Sequence, residues 1–311
     1  MVYSAERRSV MKDKGEVDRM KPAPFEYHAP DSIEQALFLL HNSAGDAKLL
    51  AGGQSLVPAM NFRVVQPSVL IDLNRIPELG YIHEQNERLR IGAMTRERHL
   101  EHDLSVVKRT PLLHEAAPHI AHPQIRNRGT IGGSLVNADP AAELPVLMLA
   151  SQARLKARNV AGERWIEAKD FFAGMFTTAL EPDEMLVEIE VPFLAPRTGW
   201  AFLEVAPRAG DYAMMGVAVL VTLDEADKCK HARLVYLNAG DGPVDATQAA
   251  GLLQGESLND ELINAAADMA SKTEITPFGN IHASEEYQRH LANVLTKRAL
   301  KIAVQRAAEE R

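Results

Sequence analysis

The most informative stretches of this sequence are Ala51-Gly52-Gly53-Gln54-Ser55 and Thr130-Ile131-Gly132-Gly133-Ser134. Glycine tolerates a positive φ and lets the main chain approach a phosphate closely, so each stretch can point several backbone N–H groups at an anionic ligand. The hydroxyl groups of Ser55, Thr130 and Ser134 add further donors. Together the two stretches predict a site for the pyrophosphate of a dinucleotide. Neither G-x-G-x-x-G at a strand-to-helix turn nor G-x-x-x-x-G-K-[S/T] occurs, which argues against a Rossmann or P-loop protein.

The segment around the first stretch predicts a small α/β unit. Asp31 or Ser32 can cap a helix whose apolar face includes Ala36 and Leu37, and residues 48–51 are typical of a short buried strand. The first glycine stretch therefore follows a strand. Further strands are predicted at 69–73, 81–83, 89–93, 153–157, 163–167 and 185–191.

Helix signals surround the second glycine stretch. Thr95 can cap a helix that runs to about residue 102, and Pro111 can open another. Pro140 occupies a typical first helical position. We therefore expect a loop from Thr130 to Pro140 that runs into a helix N-terminus, where the helix dipole also favours an anion.

Pro192 and Pro196 mark a boundary before a third unit. Beyond it, the apolar residues predict an antiparallel meander followed by helices, which is typical of an α+β unit. The strands are expected at 200–205, 214–222 and 232–237, and the helices at about 246–253, 258–271 and 284–308.

Longer stretches around these residues carry a family resemblance. They are Leu-Leu-Ala-Gly-Gly-Gln-Ser-Leu-Val-Pro at 49–58, Pro-Gln-Ile-Arg-Asn-Arg-Gly-Thr-Ile-Gly-Gly-Ser at 123–134, Asn-Ala-Asp-Pro at 137–140 and Leu-Glu-Val-Ala-Pro-Arg-Ala-Gly-Asp-Tyr-Ala at 203–213. The sequence resembles the FAD-binding medium subunit of molybdenum hydroxylases, the xanthine dehydrogenase family. It is most similar to the aerobic carbon monoxide dehydrogenase type, from about residue 22 to the C-terminal helix.

The resemblance implies an α+β chain of two domains. Two small α/β subdomains, at about 20–77 and 78–196, would form an FAD-binding domain of the PCMH/VAO type. Residues 197–311 would form a C-terminal flavoprotein domain with a three-stranded antiparallel sheet and helices. Residues 1–19 are charged and lack a core-forming pattern, so we expect a loose N-terminal extension there, or a true start at Met20.

The resemblance also assigns residues to FAD binding, with no catalytic side chain and no metal ligand in this chain. The two glycine stretches would hold the pyrophosphate from opposite sides. Asn137, Asp139 and Glu143 would support the ribityl chain, and Tyr212 would cover the isoalloxazine. The expected FAD-binding residues are Ala51, Gly52, Gly53, Gln54, Ser55, Leu56, Ile120, Thr130, Ile131, Gly132, Gly133, Ser134, Asn137, Asp139, Glu143, Leu186 and Tyr212, with Ile120 and Leu186 beside the ring or the adenine.

Three residues depart from the pattern of relatives. Gln54 stands where His is common and Ser134 where Asn is common, and both keep hydrogen-bonding capacity. Glu204 stands where some relatives have Lys. An anion near the flavin disfavours the reduced, anionic ring, so the role of Glu204 stays open.

Other residues have plainer interpretations. His119 and His122 are three apart, but no further ligand cluster lies nearby, so both are expected to be structural. Arg126 and Arg128 could assist a phosphate or a partner chain, or could be solvated, and the sequence leaves these roles open. Cys229 lies in a polar run and is expected to be an incidental thiol.

Composition limits the partners and the compartment. The net charge of −8 gives no electrostatic reason to bind nucleic acid or an anionic membrane. The single cysteine cannot hold an iron–sulfur cluster, which needs about four thiolates, so a cluster must belong to another chain. No apolar run reaches the ~20 residues of a membrane helix and no secretory signal is evident, so a cytoplasmic protein without membrane insertion is expected.

The resemblance implies an electron-transfer flavoprotein subunit. A large subunit with the molybdenum cofactor would hydroxylate the substrate, a small subunit would carry [2Fe–2S] clusters, and the FAD of this chain would pass electrons to an external acceptor. A dimer of such heterotrimers is expected. The alternatives are a self-sufficient FAD-dependent oxidase or reductase, and a non-catalytic interaction protein that has lost the flavin.

Overall fold

The computed structural model describes residues 21–43 and 45–309 of the chain. The extension expected at residues 1–19, and the alternative start at residue 20, lie outside the described residues. The described chain forms two α/β units followed by an α+β domain, which confirms the predicted fold class.

The first unit is a three-stranded parallel sheet with two helices. Ser32 caps the first helix, because its hydroxyl accepts a hydrogen bond from the Gln35 N–H at 3.3 Å. The third strand lies between the other two, so the first glycine stretch leaves the sheet from the end of an outer strand. The elements are β1 (Glu26–His28), α1 (Ile33–Asn42), β2 (Ala47–Leu50), α2 (Leu56–Asn61) and β3 (Val69–Asp72).

The second unit is built on a five-stranded antiparallel sheet covered by short helices. The strand order is β4-β5-β10-β6-β7, and a separate hairpin pairs β8 with β9. The strands are β4 (Ile82–Gln85), β5 (Arg88–Gly92), β6 (Arg154–Arg158), β7 (Glu163–Glu167), β8 (Phe172–Gly174), β9 (Thr177–Thr178) and β10 (Met185–Pro192). The helices are α3 (Glu97–His102), α4 (Leu104–Arg109), α5 (Pro111–Ala116), α6 (Pro123–Arg126), α7 (Ile131–Asn137), α8 (Glu143–Ala150) and α9 (Ala168–Phe171).

Three local predictions for this unit were wrong. The second glycine stretch is not a loop: it opens α7, since the Thr130 hydroxyl accepts a hydrogen bond from the Gly133 N–H at 3.1 Å and caps the helix. The helix expected from Pro140 begins at Glu143 instead. Thr95 does not cap α3, because its hydroxyl exchanges hydrogen bonds with the backbone of Tyr81.

The C-terminal domain packs one sheet between helices of both domains. Phe202 and Val235 lie in the core shared with the second unit, whereas Val219 and Tyr236 lie in the core formed with the C-terminal helices. The three predicted strands are present, and a fourth of two residues extends the sheet. The elements are β11 (Thr198–Val205), β12 (Met215–Leu223), β13 (Cys229–Leu237), β14 (Val244–Asp245), α10 (Thr247–Leu253), α11 (Asp260–Met269) and α12 (Glu285–Glu309).

The helix α8 joins the two domains. All of its residues are buried, and it packs against β12 and β13 of the C-terminal sheet. Apart from Glu143, its residues are apolar, which is typical of a helix in such a central position. Across the described parts of the chain, none of the helices combines the length and the apolar character needed to span a membrane.

Candidate functional site

The first glycine stretch offers a row of free backbone donors. It connects β2 to α2, and Gly53 adopts the left-handed conformation with φ +73°. Within residues 21–43 and 45–309, no acceptor is bonded to the five consecutive N–H groups of residues 52–56, whereas the carbonyls of Gly53 and Ser55 accept the first hydrogen bonds of α2. Consecutive unpaired N–H groups next to a left-handed residue are the usual protein site for an anion.

The second glycine stretch differs from this expectation. The N–H groups of Ile131 and Gly132 donate to the carbonyls of Thr95 and Ala93, at 3.0 and 2.9 Å. Those of residues 133 and 134 donate to the Thr130 hydroxyl and carbonyl. The prediction that this stretch also presents several bare N–H groups was therefore wrong. Two of these groups bond the capping residue Thr130 of α7, and the other two join α7 to the segment before α3.

The two stretches are in direct contact. A Cβ placed on Gly52 would lie 2.7 Å from the Gly129 Cα, and one placed on Gly133 would lie 3.4 Å from the Ala51 Cβ. The first of these distances leaves no room for a side chain at Gly52. The two glycine stretches thus lie side by side, and we call the surface that they share the candidate cleft.

Asn74 and Arg96 connect the two glycine stretches by hydrogen bonds, and neither residue was identified from the sequence. The Asn74 amide donates to the carbonyl of Ala51 at 2.9 Å. The Arg96 guanidinium donates to the Asn74 side-chain oxygen at 2.7 Å and also to the carbonyl of Arg128. These two side chains therefore link the end of β2 to the residues that precede α7.

Two carboxyl groups, one partly buried and one buried, lie beyond α7. Asp139 accepts a hydrogen bond from the Ala141 N–H at 2.9 Å, and burial raises the pKa of its carboxyl. Glu143, in the first turn of α8, is buried, and burial together with the charge of Glu204 raises its pKa to about 8. The raised pKa favours the protonated carboxyl of Glu143, which can donate a hydrogen bond. Asn137 is half-buried beside them.

The loop that carries Tyr212 reaches this region from the C-terminal domain. Gly210, with φ +86°, lies directly against His122, so a side chain could not replace it there. Asn238 donates its backbone N–H to the Pro140 carbonyl at 2.7 Å and its amide to the Ala213 carbonyl at 2.8 Å. The Tyr212 side chain is 72% exposed, and partial desolvation and the charges of Asp139 and Glu143 raise the pKa of its hydroxyl.

Other sequence-selected residues have structural partners. Ile120 and Leu186 are buried in the core of the second unit. Arg126, only 5% exposed, is not solvated: it pairs with Glu101 at 2.6 Å and donates to three backbone carbonyls at 118–121. His119 pairs with Glu204 at 3.2 Å. Among the described residues, no cluster of His, Cys, Asp or Glu is suited to hold a metal ion.

Matches to two known domain families define this chain as a two-domain FAD-binding flavoprotein. Residues 23–194 match the family described as FAD binding domain in molybdopterin dehydrogenase, and residues 200–303 match the CO dehydrogenase flavoprotein C-terminal domain. The chain belongs to the family of FAD-binding medium subunits of molybdenum hydroxylases, which includes those of carbon monoxide dehydrogenase and xanthine dehydrogenase. The predicted family resemblance is thereby confirmed, and the chain is an oxidoreductase subunit.

Similarity to known proteins extends over nearly the whole chain. It is 44% identical over 288 residues to the alpha subunit of the 6-hydroxypseudooxynicotine dehydrogenase complex of Paenarthrobacter nicotinovorans, covering 93% of this chain and 97% of that protein. It is 40% identical to the carbon monoxide dehydrogenase medium chain of Hydrogenophaga pseudoflava, covering 93% and 100%. The solved structure of carbon monoxide dehydrogenase from Hydrogenophaga pseudoflava matches with a TM-score of 0.89 and 41% identity, and covers 92% of this chain and 99% of that chain. The structure of quinoline 2-oxidoreductase from Pseudomonas putida 86 matches with a TM-score of 0.87 and 36% identity, with the same coverages.

Proposed function

We propose that this chain is the electron-transfer flavoprotein subunit of a multi-subunit molybdenum hydroxylase. It would take electrons from [2Fe–2S] clusters in a small partner subunit and pass them to an external acceptor. A large subunit would hold the molybdenum cofactor and the substrate, and two such heterotrimers would assemble in the cytoplasm. The flavin supplies the redox chemistry when bound, because its isoalloxazine accepts and releases electrons. The side chains of this chain hold and orient it.

The row of free N–H groups at residues 52–56 carries this proposal. A pyrophosphate brings negative charge and several acceptor oxygens, and it matches a row of unpaired donors that includes a left-handed glycine. The exposed Ser55 can add a hydroxyl donor from the same stretch. The second stretch would contribute the Ser134 hydroxyl and the close wall at Gly133, rather than a second row of N–H groups.

The remaining expected residues surround the same cleft. Glu143, in the protonated form that its raised pKa favours, and Asn137 would hydrogen-bond the ribityl chain, and Asp139 would support the backbone beside them. Tyr212 would lie over the isoalloxazine, since an exposed aromatic ring on a tethered loop offers a flat apolar face. Ile120 and Leu186 would form the apolar wall from within the core.

Replacement of Gly53 tests the phosphate site. Gly53→Ala forces a side chain into a left-handed backbone and against Leu50 and Val57, so we expect the turn to rearrange and FAD affinity to fall at least tenfold. Gly255→Ala is the matched control, because its φ is +83° and nothing lies within 4 Å of the new Cβ. Both variants carry similar backbone strain. Equal FAD affinities of the full-length variants, measured by flavin fluorescence quenching, would refute the assignment.

Purification from the native host tests the electron-transfer role. We expect the chain to elute with two further subunits, with flavin absorbance, molybdenum and iron. Removal of FAD from that complex should leave iron–sulfur reduction intact and abolish electron delivery to an external dye. A yellow chain that elutes alone, contains no metal and is reduced directly by a small molecule would favour the self-sufficient flavoenzyme. A colourless chain that binds no added FAD would favour an interaction protein.

A further inference from the structure

A pocket with basic walls lies where the second unit meets the C-terminal domain. Its volume is about 400 Å³, which is within the range of sites for small molecules. The basic side chains come from four separate elements: Arg88 of β5, Arg154 of β6, Lys169 of α9 and Arg233 of β13. We call it the interdomain pocket. The described residues that line it include none of those expected to bind FAD.

Two of these arginines share one buried carboxylate with a third. Glu190 of β10 is 1% exposed, and the guanidinium groups that lie 3.0–3.3 Å from its carboxylate are those of Arg88, Arg90 and Arg154. The neighbouring Glu188 lies 3.4 Å from Lys156 and 3.9 Å from Arg90. Glu163 also reaches Lys156, at 3.5 Å, from the edge strand β7. In this network the cations outnumber the carboxylates, so positive charge remains at the arginines of the pocket.

The other two cations of the pocket also have unused donors. Arg233 donates through one nitrogen to Asp245 at 2.7 Å, but its Nε is buried and has no partner among the described residues. A buried N–H group without an acceptor costs free energy, which a ligand oxygen would recover. Lys169 is exposed, and within the described chain no acceptor is bonded to its ammonium group. Glu167, also exposed, is the acid among the described lining residues, so the lining carries more positive than negative charge.

Apolar residues complete the interdomain pocket. Leu149 in the last turn of α8 and Pro192 at the end of β10 line it together with Ala153 and Ala168. Sites for small organic molecules typically combine such apolar walls with a few polar groups that fix the orientation of the ligand. The pocket therefore has room for carbon atoms beside the group that meets the cations.

We propose that the interdomain pocket binds a phosphate group, with space against Leu149 and Pro192 for the carbon portion of a small phosphate ester. The oxygens of a phosphate group point in several directions, so they can accept hydrogen bonds from cations on separate elements. A guanidinium group also matches a phosphate with two parallel N–H donors. Binding makes and breaks no covalent bond. The proposal does not depend on the function proposed above.

A ligand in this pocket would connect the two domains. Arg88, Arg154 and Lys169 belong to the second unit, whereas Arg233 belongs to the C-terminal domain. A ligand that binds only the folded chain raises its stability. Phenyl phosphate should therefore raise the thermal unfolding midpoint of the full-length chain. The increase should shrink as sodium chloride is added, because salt screens the attraction between the cations and the phosphate.

Calorimetric titration of the full-length chain with phenyl phosphate tests the site. Arg88→Gln and Lys169→Gln should each weaken its binding by about fivefold or more, since each removes a charged donor. Lys108→Gln, at an exposed lysine of α4 outside the pocket lining, is the matched control and should leave the affinity unchanged. Gly53→Ala should also leave it unchanged, because Gly53 belongs to the other proposed phosphate site.

The outcomes separate this site from the glycine stretches and identify its ligand. Phenyl phosphate binding that neither pocket variant weakens, or that Gly53→Ala alone abolishes, would overturn the proposal, as would a wild-type chain that does not bind it at millimolar concentration. Binding lost in the pocket variants supports it. Titration with inorganic phosphate then distinguishes the sources, since equal affinity indicates the free ion and weaker affinity indicates an ester. If Arg88→Gln does not fold, Lys169→Gln decides, because Lys169 is exposed.

Discussion

Glu143→Gln should make the chain more resistant to unfolding at alkaline pH. Burial, with the charge of Glu204, raises the pKa of Glu143 from the ordinary 4.5 to about 8. A carboxyl whose pKa is higher in the folded chain contributes its full stability below the unfolded pKa, and this contribution is lost progressively as pH rises from 4.5 to above 8. The difference between 4.5 and about 8, at about 1.4 kcal/mol per pH unit, amounts to about 5 kcal/mol.

The glutamine variant cannot ionise, so it avoids this penalty. Without FAD, urea titrations followed by circular dichroism should give wild type and Glu143→Gln similar unfolding free energies near pH 5. At pH 9 the variant should be more stable, by up to about 5 kcal/mol. Glu286→Gln is the matched control, since Glu286 also lies in the first turn of a helix but is exposed. A difference between Glu143→Gln and wild type that stays constant from pH 5 to 9 would refute the reasoning.

Three further outcomes concern packing, the cleft and the thiol. Gly132→Ala should lower the unfolding free energy by about 1–3 kcal/mol, because its Cβ would lie 2.6 Å from the Ala93 carbonyl oxygen. Gly251→Ala, in a helix with open space around it, should raise the unfolding free energy by about 0.5–1 kcal/mol. Equal changes in the two unfolding free energies, measured by urea titration, would contradict this. Tyr212→Ala should leave the thermal stability of the FAD-free chain unchanged and weaken FAD binding, and unaltered affinity by fluorescence would remove Tyr212 from the site. Cys229 should resist labelling by an aromatic disulfide at pH 8, since burial raises its pKa to about 11, and fast labelling of folded chain would contradict its position.

Local patterns were sufficient for much of the fold. Ser32 followed by an apolar helical face predicted the capped α1, and the alternating residues before Pro192 predicted β10. Thr130 was predicted to lie in a loop, although it caps a helix. The first N–H groups of that helix donate hydrogen bonds to the carbonyls of Thr95 and Ala93, which are far away in the sequence. No local pattern reveals such partners.

The candidate cleft was predictable only in part for the same reason. The glycine stretches stood out as sequence, because glycine pairs beside hydroxyl residues have few common uses. Asn74 and Arg96 did not, since an asparagine after a strand and an arginine before a helix are ordinary until the fold brings them together. In the sequence, Glu204 was notable only because some relatives have Lys there. Its buried, unpaired carboxyl oxygen results from the packing of β11 and could not be predicted from the sequence.

The two glycine pairs are alike in sequence but differ in what each glycine does. The first of each pair is required by packing: a side chain on Gly52 would meet the backbone at Gly129, and one on Gly132 would meet Ala93. The second has a conformational or capping role, since Gly53 supplies the left-handed turn and Gly133 leaves space for the Thr130 hydroxyl. Substitution of the first glycine should therefore reduce stability with or without FAD. Substitution of Gly53 should act mainly on FAD affinity, because its strain falls on the turn that orders the free N–H groups.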